Sequence, residues 1–459
     1  MSAVSAAGKP RVLLVGAYER DNFGDLLFLL VTEQHLRQAD VCAAAPFAGD
    51  MRSLLDRTIP AYGPLLRDET FDVVWTVGGQ VGGTDVTSAF RMSATPELSR
   101  RFQRSSAAER ERLLQKAFGD VPGISPYMPS LLRYPRNSGA ISVLNSVGLS
   151  GISRAETLRR EELIALLRGT DFISVRDRES SLFLTELGIE HTLVPDAVHS
   201  LSILRPAQPD PESDIAIFQA SKAILGQLGH GNVAAALATS EHLRGLRIRM
   251  LMAGTANGHD SRDDLELVAS HARQMSPRID IEILEDRRPF ELCDRISEAR
   301  VVIGTSLHVR IVASAYGIPR VSLSRAKVNR YARHWDPDMP YDVGLDDLDT
   351  AIGQAMSVAS RPDVVERSRM LSQLAHDSLR DLADRVVALA TDQTAADRTR
   401  RLELRQHHES ALLRSRTREL IRLRRQLDAL TSSRSYRLAS HMSRIARNVK
   451  RPFSVRSGR

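Results

Sequence analysis

The chain has 459 residues, 42% apolar and 26% charged, which is ordinary globular usage and excludes wholesale disorder and collagen-like repeats. At about 150 residues per domain, two or three domains are expected. The net charge of +7 is unevenly spread: residues 398–459 carry 18 Lys+Arg against 4 Asp+Glu, or +14, which leaves −7 on a body with no reason to hold a nucleic-acid groove.

From the amino end, residues 1–16 lack a basic stretch followed by an apolar one, and Val12-Leu13-Leu14-Val15 reads as a buried strand rather than a signal. A helix over 25–38 follows, then strands over 41–45 and 71–77, the latter ending in Gly78-Gly79. Residues 84–137 read as an irregular insertion, rich in Arg, Ser and Pro, that covers or shapes a cleft. The α/β alternation resumes with strands over 140–145, 172–175 and 191–194 and helices over 154–168 and 178–187. Together these make an N-terminal Rossmann-like domain, 1–204. Pro206, Pro209 and Pro211 forbid helix or central strand and mark a linker. A second Rossmann-like domain, 212–362, has strands over 215–218, 247–252, 279–284, 301–303 and 320–323.

Residues 363–459 read as a helical, basic tail. Leu413, Leu420 and Leu427 recur every seven residues, as do Leu423 and Leu430, which makes a short coiled coil of about two and a half heptads where three or four mark one clearly. Leu438, Met442, Ile445 and Val449 share a helical face, with Arg437, Arg444, Arg447 and Lys450 elsewhere. Such a basic amphipathic helix suits an anionic membrane surface, or packing on the body or a second subunit. The expected fold class is α/β: two Rossmann-like domains in a GT-B-like plan with a C-terminal helical extension, and an active site in the cleft near the carboxyl ends of the strands. No apolar run nears the roughly 20 residues that span a bilayer, and Cys42 and Cys293 lie far apart without a partner motif. A cytoplasmic enzyme is expected, peripheral at the inner face of the plasma membrane if the tail meets lipid.

Several strand ends carry groups suited to chemistry. Asn22-Phe23-Gly24-Asp25 opens a helix; its amides can face an anion or a sugar hydroxyl, or Asn22 and Asp25 simply cap the helix. Gly78 and Gly79 allow close approach to a ligand or a tight turn. Arg176 can grip a carboxylate or phosphate through its fork, or pair with Asp177 at a helix start. Asp196 faces the cleft or bonds its own turn. In Gly304-Thr305-Ser306-Leu307-His308, Thr305 and Ser306 can cap the next helix, whose first amides make an anion site, and His308 stands ready as general acid or base. Lys327, one of only five lysines, lies just past another strand. No set of histidines and carboxylates has metal-ligand spacing, so no metal is expected.

Taken in order, these motifs resemble the polysaccharide pyruvyl transferase family. The pieces are Asn22-Phe23-Gly24-Asp25, Gly78-Gly79, Ile173-Ser174-Val175-Arg176-Asp177, Val194-Pro195-Asp196, Gly304-Thr305-Ser306-Leu307-His308, Ala315-Tyr316-Gly317-Ile318-Pro319 and Ala326-Lys327-Val328, within about Arg11 to Asn329. The resemblance implies a GT-B-like transferase that moves the enolpyruvyl unit of phosphoenolpyruvate onto a sugar hydroxyl of a cell-envelope or exopolysaccharide glycan as a cyclic ketal. Phosphoenolpyruvate is then the donor substrate, no cofactor is needed, and the acceptor is a saccharide or lipid-linked saccharide. By similarity Arg176, His308 and Lys327 fall in the donor site. His308 would protonate the methylene carbon, with the base open between Asp25 and Asp196. Many members have Arg-Leu-His where this chain has Ser306-Leu307-His308, and Arg310 lies nearly opposite His308 at about 100° per residue. Two other readings stand beside this one. A GT-B glycosyltransferase using a nucleotide sugar would draw its ribose-binding acid from residues 282–286; a non-catalytic polysaccharide-assembly protein would recruit partners through the tail.

Overall fold

In the computed structural model, which describes residues 8–120 and 125–432, the β-branched runs assemble into two parallel sheets. The first domain contains β1 (Arg11–Val15), β2 (Asp40–Ala44), β3 (Gly49–Met51), β4 (Arg57–Ile59), β5 (Val73–Val77), β6 (Ile141–Val147), β7 (Phe172–Val175) and β8 (Thr192–Leu193). Its main sheet runs β2-β1-β5-β6-β7-β8, with β3 and β4 apart as an antiparallel hairpin. The second domain contains β9 (Ile215–Gln219), β10 (Arg247–Met250), β11 (Ile281–Ile283), β12 (Val301–Gly304) and β13 (Arg320–Ser322), ordered β11-β10-β9-β12-β13. Helices cover both faces of each sheet, which is why β5 and β12 are buried along their whole length and, Thr76 apart, carry no polar side chain. This is the expected two-domain, GT-B-like α/β plan.

In both sheets the strand order reverses beside the first strand, between β1 and β5 and between β9 and β12. Reversal leaves a crevice at the carboxyl edge, because the connections leave to opposite faces. The two crevices face each other across the domain boundary, and contacts between domains hold them so. The Phe23 N–H donates to the Ala253 carbonyl at 2.9 Å, the Trp335 indole N–H to the Arg176 carbonyl at 2.8 Å, and Arg288 pairs with Asp56 at 2.7 Å.

The insertion expected to be irregular is largely helical. Val86–Ser93, Pro96–Arg104 and Ala107–Phe118 are three short helices whose N-caps, Asp85, Thr95 and Ser106, each accept a backbone N–H from the first turn. Their polar faces hid a narrow apolar stripe: Ala89, Phe90, Phe102 and Phe118 are the residues they bury. The hairpin of β3 and β4 was also unforeseen, its strands being three residues each. The first helix, Phe23–His35, starts two residues earlier than expected because the Asn22 carboxamide accepts the Gly24 N–H.

The helix Pro362–Asp392 returns from the second domain and packs Leu371, Ala375, Leu379 and Val386 inward, largely against the turn Ala197–Ser200 of the first. A second long helix, Ala395–Ser432, then docks its first half on the helix Thr157–Arg168. Arg405 anchors it. Only 7% exposed, its guanidinium pairs with Asp171 at 2.8 Å and donates to the carbonyls of Ser138, Ala140 and Gly169. Among the described residues no helix is long and apolar enough to cross a membrane. The basic amphipathic helix expected through Leu438, Met442, Ile445 and Val449 lies outside the described residues.

Arg405→Met would strand Asp171 and three carbonyls at a buried site, and removing one member of such a pair costs about 3–5 kcal/mol. A lower urea midpoint is expected, with faster amide exchange across 395–416. An unchanged midpoint would show that the helix is not anchored there.

Candidate active site

Where the two crevices meet there is a cavity of about 270 Å³, lined from the first domain by residues that include Asn22, Asp25, Gly78 and Gly79, and from the second by residues that include Gln219, Asp260, Thr305, Ser306, His308, Arg325 and Lys327. Gly24 is beside it rather than in its wall. A Cβ there would lie 1.7 Å from His308 Nδ1, so only glycine lets the helix N-terminus of one domain meet the imidazole of the other. Gly78, with φ of +57°, is held to glycine twice, because a Cβ would also sit 2.3 Å from the Phe28 ring.

His308 is buried and packs edge-on against Phe28. Its Nε2 is 3.7 Å from Asp196 Oδ2, too long for a hydrogen bond, so the contact is electrostatic. Burial pushes the imidazole pKa down, and Asp196 only partly offsets this, which favours the neutral histidine at pH 7. Asp196 is fully buried behind it. Burial alone would raise its pKa, but Arg176 and His308 outweigh that and hold the carboxyl well below the usual range. Arg176 Nη1 donates to Asp196 at 2.6 Å while Nη2 has no partner, and its guanidinium lies 5.4 Å from the centre of the Phe28 ring.

The expected site residues thus divide. His308, Asp25, Asn22, Gly78, Gly79, Thr305, Ser306 and Lys327 line the cleft, whereas Arg176, Asp196 and Gly24 stand behind its wall, close to His308. Asp25 pairs with Arg20 at 3.2 Å, and Arg20 in turn donates to the Tyr127 hydroxyl at 3.0 Å. Arg310 is no substitute for the missing Ser306 cation. It is buried on the far side of its helix, donating to Ser322 and to the carbonyls of Asp336, Met339 and Pro340. Glu282 and Asp286, the acids a nucleotide-sugar site would have used, pair instead with Arg249 and Arg295 and lie outside the cleft lining.

The amides of Thr305 and Ser306, just ahead of the helix Leu307–Ala315, both donate to Gln219 Oε1, at 3.1 and 2.9 Å. Gln219 Nε2 donates to both oxygens of Asp260 at 2.9 Å, and Asp260 Oδ2 also accepts the Ala253 N–H at 2.7 Å. This relay ties together three loops at the carboxyl edge of the second sheet and sets the entry of the helix that carries His308. Burial raises the Asp260 pKa to about 7 despite these donors. Gln219 and Asp260 were missed by sequence reasoning, as was Arg325. Gln219 was findable, since it closes a buried strand at the expected edge.

Lys327 and Arg325 flank the start of the helix Ala326–Trp335, which has no side-chain cap. Lys327 keeps substantial surface open to cleft water, yet protein crowds it from every side. That crowding, and then Arg176, push its ammonium down to about 8.

Two substitutions test this geometry. Gly24→Ala is expected to displace His308 and lower turnover by at least tenfold with the sheets still folded, as circular dichroism would show; normal turnover would mean that the two need not touch. Gln219→Glu keeps an acceptor for Thr305 and Ser306 but sets two carboxylates face to face, so the pair must share a proton and its pKa rises above the unfolded value of about 4. The variant should match the parent in acid and lose stability as pH climbs from about 4 through the raised value. A constant difference in melting temperature across pH would count against the relay.

A sequence model of the family described as polysaccharide pyruvyl transferase matches residues 22–327. No curated protein matches the chain in sequence. Among solved structures, UDP-GlcNAc 2-epimerase from Neisseria meningitidis bound to UDP-GlcNAc is 12% identical, with a TM-score of 0.45 over 82% of this chain and 100% of its own. The Methanocaldococcus jannaschii UDP-GlcNAc 2-epimerase in complex with UDP-GlcNAc and UDP is also 12% identical, at 0.46 over 80% and 99%. The lipopolysaccharide outer core galactosyltransferase WaaB is 11% identical, at 0.41 over 82% and 99%. The family match runs from the loop of Asn22 through the rest of the first domain and the second sheet to Lys327, and the chain belongs to the polysaccharide pyruvyl transferase family.

Proposed function

We propose that the protein transfers the enolpyruvyl unit of phosphoenolpyruvate to a sugar hydroxyl of a cell-envelope or exopolysaccharide glycan, free or lipid-linked, and closes it to a pyruvate ketal. The observation that carries this reading is a pair of cations without partners. Arg325 and Lys327 line the cleft, and neither makes an ion pair among the described residues, although most arginines near them do. An uncapped helix N-terminus between them adds its own positive end. A small molecule with a phosphate and a carboxylate supplies the missing negative charge. The strand pair β12–β13 puts the Arg325 loop beside that of Ser306, with the Leu323 N–H donating to the Gly304 carbonyl at 3.1 Å, so Arg325 is well placed to supply the guanidinium absent at position 306.

The chemistry follows from charge. A bound dianion raises the His308 pKa that burial had lowered, so the imidazole gains a proton as the donor arrives. His308 passes that proton to C3 of phosphoenolpyruvate while a sugar hydroxyl oxygen bonds to C2, and Asp25 takes the hydroxyl proton. The C2–O bond to phosphate then breaks, the leaving phosphate keeping the electron pair. A second hydroxyl closes the ring on C2, and its proton leaves with the phosphate. Arg176 and Asp196 act as positioning residues for His308, and Lys327 and Arg325 neutralise the departing phosphate.

Phosphoenolpyruvate at about 100 times its dissociation constant should stabilise the protein by roughly 2.7 kcal/mol, against no shift with UDP- or GDP-sugars. Losing one charge-assisted contact in Lys327→Gln or Arg325→Gln should weaken binding about ten- to a hundredfold. Affinity should be full below the lowered Lys327 pKa and fall as pH rises through about 8, a dependence that Lys327→Gln abolishes. Stabilisation by a nucleotide sugar alone would overturn the proposal.

A further inference from the structure

The loop that follows β10, residues 251–261, brings a second imidazole to the cleft. His259 lines the cavity together with Asp25 and Lys327, and its loop is tied at nearly every step. The Phe23 N–H donates to the Ala253 carbonyl at 2.9 Å, the Ala256 N–H to the Asp21 carbonyl at 3.2 Å, and the Thr255 hydroxyl to Asp21 Oδ2 at 2.7 Å. Asn257 Nδ2 donates to the carbonyls of Arg91 and Ala94 at 3.0 and 2.6 Å, and Asp260 belongs to the Gln219 relay. The His259 backbone is itself held: its N–H donates to the Ala256 carbonyl at 2.9 Å, and its carbonyl accepts the Lys222 N–H at 3.1 Å. Its ring has no hydrogen-bond or ion-pair partner among the described residues, whereas the rings of His191, His230 and His242 each hydrogen-bond a side chain. Loops tolerate motion unless something holds them. Here both domains do the holding, and what they leave without a partner in the cleft wall is one imidazole.

The ketal-forming reaction proposed above has work for such a group. Two hydroxyl protons must leave the sugar, and Asp25 accepts only the first. The phosphate departs with its electron pair and needs a proton. We propose that His259 is a catalytic residue that carries the second proton from the ring-closing hydroxyl to the phosphate, an assignment that rests on the ketal-forming reading. As that hydroxyl oxygen bonds to C2, its proton passes to an imidazole nitrogen of His259. The imidazolium then gives the proton to the phosphate, which leaves as hydrogen phosphate. Burial lowers the pKa of the ring; Asp25 and Asp21 oppose this while Arg20 and Lys327 add to it, and the balance favours a neutral ring able to accept at pH 7. Without His259 the cation formed when phosphate departs has another exit. It returns a C3 proton to His308 and is released as the open enolpyruvyl ether, an isomer of the ketal.

Histidine-ring NMR on the full chain tests the contact. Saturating phosphoenolpyruvate should move the ring resonances of both His259 and His308, each assigned by its loss in His259→Gln or His308→Gln. Movement of His308 alone would overturn this inference and leave the proposed function standing; movement of neither would overturn both. Turnover tests the role, with p-nitrophenyl hexopyranosides as acceptors, since their 4- and 6-hydroxyls can close a ketal ring. His259→Gln should bind phosphoenolpyruvate as the parent does but form ketal at least about a hundredfold more slowly. Its product should show the two vinyl protons of the ether in place of the ketal methyl singlet. Ketal formed at the parental rate would overturn the assignment. So would loss of donor binding together with turnover, which marks a structural role.

Discussion

A carboxylate with no exposed surface, Asp196, holds the two domains in their working relation. It tolerates burial because Arg176 and the Val198 N–H of its own domain meet its charge, while the other domain covers it with His308 and with Tyr331, whose hydroxyl accepts the Asp196 backbone N–H at 3.0 Å. Separating the domains would uncover that ion pair and break the Tyr331 contact that closes over it. Closure is thus built into the wall behind His308. The same cluster keeps the imidazole aimed at the cleft without touching whatever binds there.

Around that cluster the cleft is assembled from strand ends. Both sheets reverse their strand order at the point where they face each other, so each contributes loops that no helix covers. The first domain contributes the close backbone of Gly78 and Gly79, with Asn22 and an Asp25 already paired to Arg20. The second contributes the charge, through His308, Arg325 and Lys327. Gln219 joins them. Its carbonyl accepts the amides of Thr305 and Ser306 and so sets the entry of the helix that carries His308.

The arginines of the tail serve two purposes, and the division falls near Arg416. Arg398, Arg401, Arg405 and Arg416 fasten the helix to the first domain through carboxylates and carbonyls. Later ones point into solvent around a leucine seam. A basic tail on an acidic body therefore reflects attachment first, because Asp72, Asp171 and Glu162 of the body are the partners it finds.

Much of this was legible in the sequence. Alternating apolar runs determine two parallel sheets and their helices, because strands buried on both faces must be largely apolar, as in Val12-Leu13-Leu14-Val15 and Val301-Val302-Ile303. The motif order likewise placed His308 and Lys327 at strand ends. Three features needed the tertiary structure. The short helices over 86–118 bury too few residues each to show a period. Gln219 and Asp260 bond across loops about 40 and 85 residues apart in sequence, which no local pattern records. Arg176 and Asp196 read from sequence as groups facing a ligand, yet they face each other. A strand end tells which edge of a sheet a side chain occupies; only the packing of the second domain against the first decides whether that edge is wall or cavity.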